Sequence, residues 1–325
     1  MLITGARGTG KTVMLTVLGD KARERGWEVL EETASSGLCE RLVSELRTKE
    51  GLMDKLTIRP SVSFAGASVG LGEAELSSKR MPETLRKAMA ARLDILEKRS
   101  SGLLISIDEA QAASMEDMIA IATAIQHQIR ERRNIAIIFA GLPQMVSDLY
   151  NDEVITFLRR ARLNVLSDVS LDEVRNAFSQ TFADSQMTIS DSQISVAADV
   201  TKGYPYMIQL VGYYIWDAAD IRDSWVVTDE DVKNGIDEAH YDLDNAVCIP
   251  ELQGLSKTDR EYLEAMSQSD GPSATAEVAR RMGKSAQYAA TYRKRLLDAY
   301  VIRETERGEV DFAVPFLREY LRKKS

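Results

Sequence analysis

Gly5-Ala6-Arg7-Gly8-Thr9-Gly10-Lys11-Thr12, almost at the start of the chain, reads G-x-x-x-x-G-K-[ST]. This is the Walker A pattern, which wraps the phosphates of ATP or GTP. Its glycines let the backbone turn tightly with N–H groups aimed inward, an anion cradle that runs into a helix N-terminus. Lys11 would reach the β- and γ-phosphates and the Thr12 hydroxyl would ligate Mg²⁺, with Gly5 to Gly10 and Val13 around the nucleotide. The flanks agree. Leu2-Ile3-Thr4 is a short apolar run that reads as a strand, and residues 13–25 read as a helix with Val13, Leu15, Val17 and Leu18 buried.

Further along, Leu103-Leu104-Ile105-Ser106-Ile107 is an apolar run that ends in Asp108-Glu109. Near-continuous apolar strands suit a parallel sheet covered on both faces. Acidic residues at the C-terminal end of such a strand project into the crevice where α/β sheets bind ligands. Asp108 would hold the Mg²⁺ shell and Glu109 would orient and polarise the attacking water. An Asp-Glu pair also serves as a helix N-cap. The upstream Walker A loop favours the first role.

At 325 residues the chain has room for two or three domains with proper cores. No apolar stretch is long enough to span a bilayer, and no basic region followed by an apolar block opens the chain, so the expectation is a cytoplasmic protein with no membrane partner. Cys39 and Cys248 lie far apart and suggest no disulfide framework. His127 and His240 offer no metal-site spacing. The net charge of −9 is unevenly spread: residues 271–325 hold twelve Lys/Arg against seven Asp/Glu, so a basic tail follows an acidic body. Such a tail suits an acidic partner, and ordinary solvated charge explains it as well.

Strand-like runs at 2–4, 27–32, 103–107, 135–140 and 163–166 alternate with helical patterns at 37–49, 82–99 and 115–132. That alternation predicts a five-stranded parallel sheet with helices on both faces. Met118, Ile121, Ala122, Ile125 and Ile129 form the core stripe of the helix after Asp108-Glu109. Residues 56–72 read as a small inserted hairpin. From Ser170 the pattern turns all-helical: Ser170 caps one helix with Glu173 at the capping-box position, Ser190 or Asp191 starts another, residues 205–219 are a third, and Thr228 starts a fourth. The predicted domains are therefore an α/β nucleotide-binding domain (1–169), an all-α lid (170–249) and, after a short linker over 249–255, a tail domain (255–325).

The tail reads as a winged helix. Helices over 256–267, 274–282 and 285–300 precede strands over 301–304 and 310–313, which meet at the turn Arg307-Gly308, and a terminal helix over 315–324 closes the chain. In such modules the third helix enters the major groove of DNA. Lys284, Gln287, Thr291, Arg293, Lys294, Arg295, Arg303 and Arg307 are the candidates for DNA contact. Tyr288, Tyr292 and Leu296, four residues apart, read as core. Winged helices also dock proteins, and the residues leave both partners open.

Taken together, these motifs resemble the AAA+ class and, within it, the Orc1/Cdc6-like and archaeal-type ATPases related to STAND switch proteins. Ile107-Asp108-Glu109-Ala110-Gln111 is similar to the family's DEAQ/DEAH-style Walker B motif. The resemblance implies that Arg159 or Arg160, in Phe157-Leu158-Arg159-Arg160-Ala161 before the fifth strand, acts as an arginine finger across a subunit boundary. It also implies that Gly203-Tyr204-Pro205-Tyr206 is the lid motif, with Tyr204 and Pro205 near the adenine. The chain departs from the family in three places. The fourth strand runs into Gly141-Leu142-Pro143 with no polar sensor residue, and Lys202 is a weak substitute for a lid arginine. Relatives carry a segment before the first strand that helps to enclose the base; here the sequence begins at the strand, and the expectation is a truncated or misassigned start. The implied function is an ATP-binding, Mg²⁺-dependent switch with slow hydrolysis coupled to self-association. The alternatives are a DNA-binding regulator whose assembly ATP tunes, and a protein-interaction scaffold with structural nucleotide.

Overall fold

The computed structural model of the chain describes residues 1–51, 72–151, 156–306 and 308–324. Most of the expected hairpin over 56–72 and Arg307 at the tail's turn lie outside the described residues. Contacts divide the chain into two compact units, one comprising Met1–Gly5 and Lys11–Leu166, the other Ala6–Gly10 and Ser167–Ser325.

In the first unit, strands β1 (Leu2–Thr4), β2 (Glu28–Thr33), β3 (Leu103–Asp108), β4 (Ile135–Gly141) and β5 (Leu163–Val165) form one sheet in the order β2-β3-β4-β1-β5. All of its pairings are parallel. Successive side chains of a strand point to opposite faces. Accordingly Leu103, Ile105 and Ile107 join one core with Leu2, while Leu104 joins a second with Ile3, Leu15 and Ile138. Helix α1 (Lys11–Glu24) covers the second face, and α2 (Leu38–Gly51), α3 (Gly72–Glu97) and α4 (Met115–Arg130) cover the first. A further helix, α5 (Pro143–Asn151), follows β4.

Two burial expectations need correction. The inward line of α1 is Lys11, Leu15 and Gly19. Val13 and Val17 lie two positions along, roughly 200° around the helix, and are 55% and 44% exposed. Met118, Ile121, Ala122 and Ile125 of α4 do join the core. Ile129, in the last turn, is exposed.

The second unit carries helices α6 (Leu171–Asp184), α7 (Asp191–Thr201), α8 (Pro205–Ile221) and α9 (Asp229–Leu243). Ser190 and Thr228 form full capping boxes with Gln193 and Asp231. At Ser170 the arrangement differs from the expected box. Glu173 N–H donates to Ser170 Oγ, but the Glu173 carboxylate accepts from the Ser170 hydroxyl and not from its backbone N–H. The stretch expected as a linker is helical: a π turn at Asp244–Cys248 leads into α10 (Ile249–Gln253). Pro250 sits in the first turn of α10, where its missing N–H costs nothing.

After α10 come α11 (Lys257–Ser267), the two-residue strand β6 (Ser273–Ala274), α12 (Thr275–Arg281), α13 (Ala286–Asp298), the hairpin β7 (Ile302–Glu304) and β8 (Glu309–Phe312), and α14 (Leu317–Lys324). Strands β6, β8 and β7 pair antiparallel in that order. Strand β6 was not expected, because two residues cannot show a period. Helix α14 is tied to the preceding helices by Lys202 with Glu319 and by Lys323 with Asp244 at 3.8 Å. Among the described residues no helix is long and apolar enough to cross a membrane.

Asp231 is the most heavily used cap. Almost fully buried, it accepts from Thr228 N at 2.7 Å and Thr228 Oγ1 at 2.8 Å and pairs with Arg222. Burial alone would raise its pKa, but the Arg222 and Thr228 bonds outweigh that and hold it below the ordinary value of 3.8. Asp231→Ala should destabilise the chain by about 2–3 kcal/mol, as lost caps and buried charge-assisted bonds do, measured by urea unfolding. The native pKa is depressed, so the stabilisation is complete above the unfolded value of 3.8 and is lost as pH falls through the native one. The gap between wild type and variant should therefore close in acid.

Candidate functional site

The residues around the Walker A loop are set by the end of β1. Gly5 follows the strand directly, and Lys11, 6% exposed, donates from Nζ to the Gly5 carbonyl at 3.1 Å. Between them Gly8 and Gly10 adopt φ of +71° and +87°, values that glycine tolerates and side-chain-bearing residues rarely take. Thr9 Oγ1 donates to the Ala6 carbonyl at 2.8 Å and braces the turn. Thr12 opens α1, and its hydroxyl donates to Asp108 Oδ2 at the end of β3 at 2.6 Å. The Thr12 hydroxyl and the β3 carboxylate thus meet. Val13, placed near the nucleotide by the sequence, is exposed on the first turn of α1.

At the end of β3 the Glu109 backbone N–H donates to Asp108 Oδ1 at 2.8 Å. Glu109 itself is exposed and left-handed, with φ of 50°. Its carboxylate accepts from Gln111 Nε2, and Gln111 Oε1 accepts from Leu142 N at 3.0 Å. Sequence reasoning quoted Gln111 only as part of a motif. The available signal was a Gln two residues after the acidic pair together with a Gly at the end of the fourth strand.

The loop residues Ala6–Gly10 count with the second unit, and two of that unit's side chains hold Arg7. Tyr204, buried ahead of α8, donates its hydroxyl to the Arg7 carbonyl at 2.9 Å. Burial pushes its phenol pKa above the ordinary value. A Cβ at Gly8 would come within 2.0 Å of that hydroxyl, so Gly8 is required by its neighbour as well as by its φ. The Arg7 guanidinium forms an ion pair with Glu251 of α10, whose side chain is only 9% exposed. Burial raises the Glu251 pKa and Arg7 opposes the shift. Neither the bond to Arg7 nor Glu251 was anticipated from sequence. Pro205 is the first residue of α8 and is partly buried. Lys202, the weak substitute for a lid arginine, is committed to Glu319 and to the face of Phe316.

Arg159 and Arg160 lie in the 3₁₀ turn Thr156–Arg160 before β5, both exposed. Arg159 Nε donates to the Tyr150 carbonyl at 2.8 Å. In the tail, Lys284, Gln287, Thr291, Lys294 and Arg303 are exposed. Arg293 instead pairs with Glu304 at 2.6 Å and Arg295 with buried Asp259 at 2.9 Å, so both are used inside the tail. Leu296 is core as expected. Tyr288 is exposed, packed against the half-buried Tyr292 with 5.0 Å between ring centroids.

The family model described as AAA ATPase domain matches residues 1–138, and one described as a domain of unknown function matches residues 245–321. No curated protein matches the sequence. Three solved structures each cover 99% of the chain. The Walker-type ATPase PABY2304 of Pyrococcus abyssi is 16% identical, with 90% of its chain covered and a TM-score of 0.66. The ORC2 protein of Aeropyrum pernix, solved as ADPNP–ADP complexes, is 13% identical, with 85% covered and a TM-score of 0.66. Cdc6p of Pyrobaculum aerophilum is 14% identical, with 87% covered and a TM-score of 0.52. At these identities the likeness is one of fold. The first 138 residues of the chain match the AAA ATPase domain model, and the chain shares its fold with the Walker-type ATPase, ORC2 and Cdc6p structures.

Proposed function

We propose that the chain is an ATP-binding, Mg²⁺-dependent switch that hydrolyses ATP slowly. The observation that carries this reading is the 2.6 Å bond between Thr12 and Asp108, which brings the loop hydroxyl and the β3 carboxylate to one place. A hydroxyl beside a carboxylate is the hard oxygen donor set that suits Mg²⁺. The glycines at positive φ and the adjacent Lys11 ammonium suit a polyphosphate. Thr12 and Asp108 would hold the metal, which when bound neutralises phosphate charge. Lys11 supplies the cation beside the loop, and the Gly5–Gly10 backbone orients the phosphates. Glu109 accepts the proton of the attacking water, leaving Asp108 to its own task. Gly141 offers no side chain at the end of β4, in keeping with a slow rate.

Lys11→Ala should weaken ATP binding by an order of magnitude or more, measured by titration with a fluorescent ATP analogue. An affinity within twofold of wild type would remove the assignment. Glu109→Gln should bind ATP normally and lose turnover, because an amide cannot take the proton. Chelating Mg²⁺ should abolish turnover in the wild type.

Self-association is part of the reading through Arg160, since the Arg159 guanidinium is already bonded to the Tyr150 carbonyl. Arg160→Ala should spare ATP affinity and lower turnover. Mixing it with Lys11→Ala chains should restore part of the rate, because a finger supplied in trans can be worth several orders of magnitude. A monomer whose rate is unchanged by Arg160→Ala would count against it.

A second reading concerns the tail, where the order helix, strand, helix, helix, hairpin supports the winged-helix reading. Lys294 and Arg303 are exposed and are in no ion pair among the described residues, which favours an anionic partner such as DNA. Lys294→Glu with Arg303→Glu should eliminate DNA retention, and wild-type retention should fall steeply with salt through counterion release. Gln287→Ala or Thr291→Ala should alter sequence preference more than affinity. Retention that survives the double reversal would favour a protein-docking tail.

A further inference from the structure

Gln111 stands in the 3₁₀ turn Ala110–Ala112, two residues beyond Glu109, and its side-chain amide is engaged at both ends. Nε2 donates to Glu109 Oε2, and Oε1 accepts from the Leu142 backbone N–H at 3.0 Å. Those partners fix the orientation of the amide: a backbone N–H only donates, and an ionised carboxylate only accepts. Flipping the amide would break both bonds at once.

Its position in the sheet gives the amide its reach. Leu142 follows Gly141, the last residue of β4, and β4 lies between β3, which delivers Asp108 and Glu109, and β1, which delivers Gly5. Gly141 is in register with Thr4 of β1. A Cβ on Gly141 would lie 2.6 Å from Gln111 Oε1, so a side chain there and the Gln111 amide cannot share the space. The polar side-chain group that bridges the ends of β3 and β4 here comes from the turn after β3.

Glu109 needs such a partner. Its left-handed backbone is uncommon for a residue other than glycine and is kept only where the surroundings over-determine it. Its side chain is exposed, and an unrestrained glutamate in water spreads over many rotamers. The Gln111 bond removes that freedom at one carboxylate oxygen and leaves the other available.

We propose that Gln111 is the positioning residue for hydrolysis: it holds one oxygen of Glu109, presents the other to the attacking water, and ties that geometry to the end of β4. This rests on the reading of Glu109 as the proton acceptor. Gln111 touches neither water nor nucleotide in this role and acts through Glu109.

The test uses the full chain and compares wild type, Gln111→Ala, Gln111→Glu and Glu109→Gln in ATP affinity and steady-state turnover. Both Gln111 variants should bind the fluorescent ATP analogue within about threefold of wild type, while kcat falls roughly tenfold or more, a part of what a general base contributes. Gln111→Glu is the discriminating variant. It still accepts from Leu142 N–H, so a role confined to pinning the β4 end would leave its rate at the wild-type value. It can no longer donate to Glu109, so its rate should fall as that of Gln111→Ala does while its ATP affinity holds. A wild-type rate in Gln111→Glu would overturn the proposal, as would a faster Gln111→Ala. Should wild type turn over no faster than Glu109→Gln, the reading of Glu109 fails and takes the positioning role with it. Should wild type exceed Glu109→Gln while both Gln111 variants match wild type, only the positioning role fails.

Discussion

Polar chemistry can leave the sheet of the first unit only at the ends of its strands. Both faces are covered by helices, so Leu103 to Ile107 is buried on each side and the first residues free to carry charge are Asp108 and Glu109. The same holds for β1, where Leu2, Ile3 and Thr4 are buried before the chain reaches the glycine-rich loop. In a parallel sheet both exits face the same edge, and β4 between them keeps them about two strand spacings apart, roughly 10 Å. A threonine hydroxyl on the first turn of α1 and an aspartate at a strand end close that gap. Burial therefore brings the two motifs together across the 96 residues that separate Thr12 from Asp108.

The loop is constrained by more than phosphate chemistry. Gly8 has a φ that other residues avoid, and its missing Cβ is also the space that the Tyr204 hydroxyl needs. Arg7 is held through its backbone by a neutral phenol and through its side chain by a buried carboxylate. An ion pair with one buried partner is sensitive to the loss of the other partner, because the stranded charge retains its desolvation cost. At Glu251 that cost already shows in the raised pKa, which Arg7 only partly offsets. Replacing Arg7 would thus disturb α10 as well as the loop.

Much of this was legible in the sequence, for identifiable reasons. β1, β3 and β4 emerged because buried parallel strands are continuous apolar runs, and three of the second unit's helices start where Ser190, Thr228 and Ser256 cap with their own side chains. Thr12 and Asp108 stood out because one closes the glycine-rich pattern and the other ends an apolar run, and the fold puts them within hydrogen-bond reach. What was missed depends on contacts between distant residues. Nothing near Glu251 marks it as a partner of Arg7, and α10 was hidden because Pro250 reads as a breaker until its first-turn position is known. Val13 and Val17 were misplaced because hydrophobicity was weighed without the helix period that selects Lys11, Leu15 and Gly19.

The tail's charges show why counting basic residues overstates an anion-binding face. Arg293, Lys294 and Arg295 are consecutive, and by number they form the densest cluster on α13. A helix turns about 100° per residue, so three consecutive side chains leave it in different directions. Arg293 turns toward β7 and Glu304, and Arg295 toward the capping Asp259 of α11, where it completes a box already formed with Ser256. Both guanidiniums brace the hairpin and the first tail helix against α13. Lys294 is left facing solvent, and like Arg303 it is in no ion pair among the described residues. The charge that decides recognition is the charge the fold has not already used.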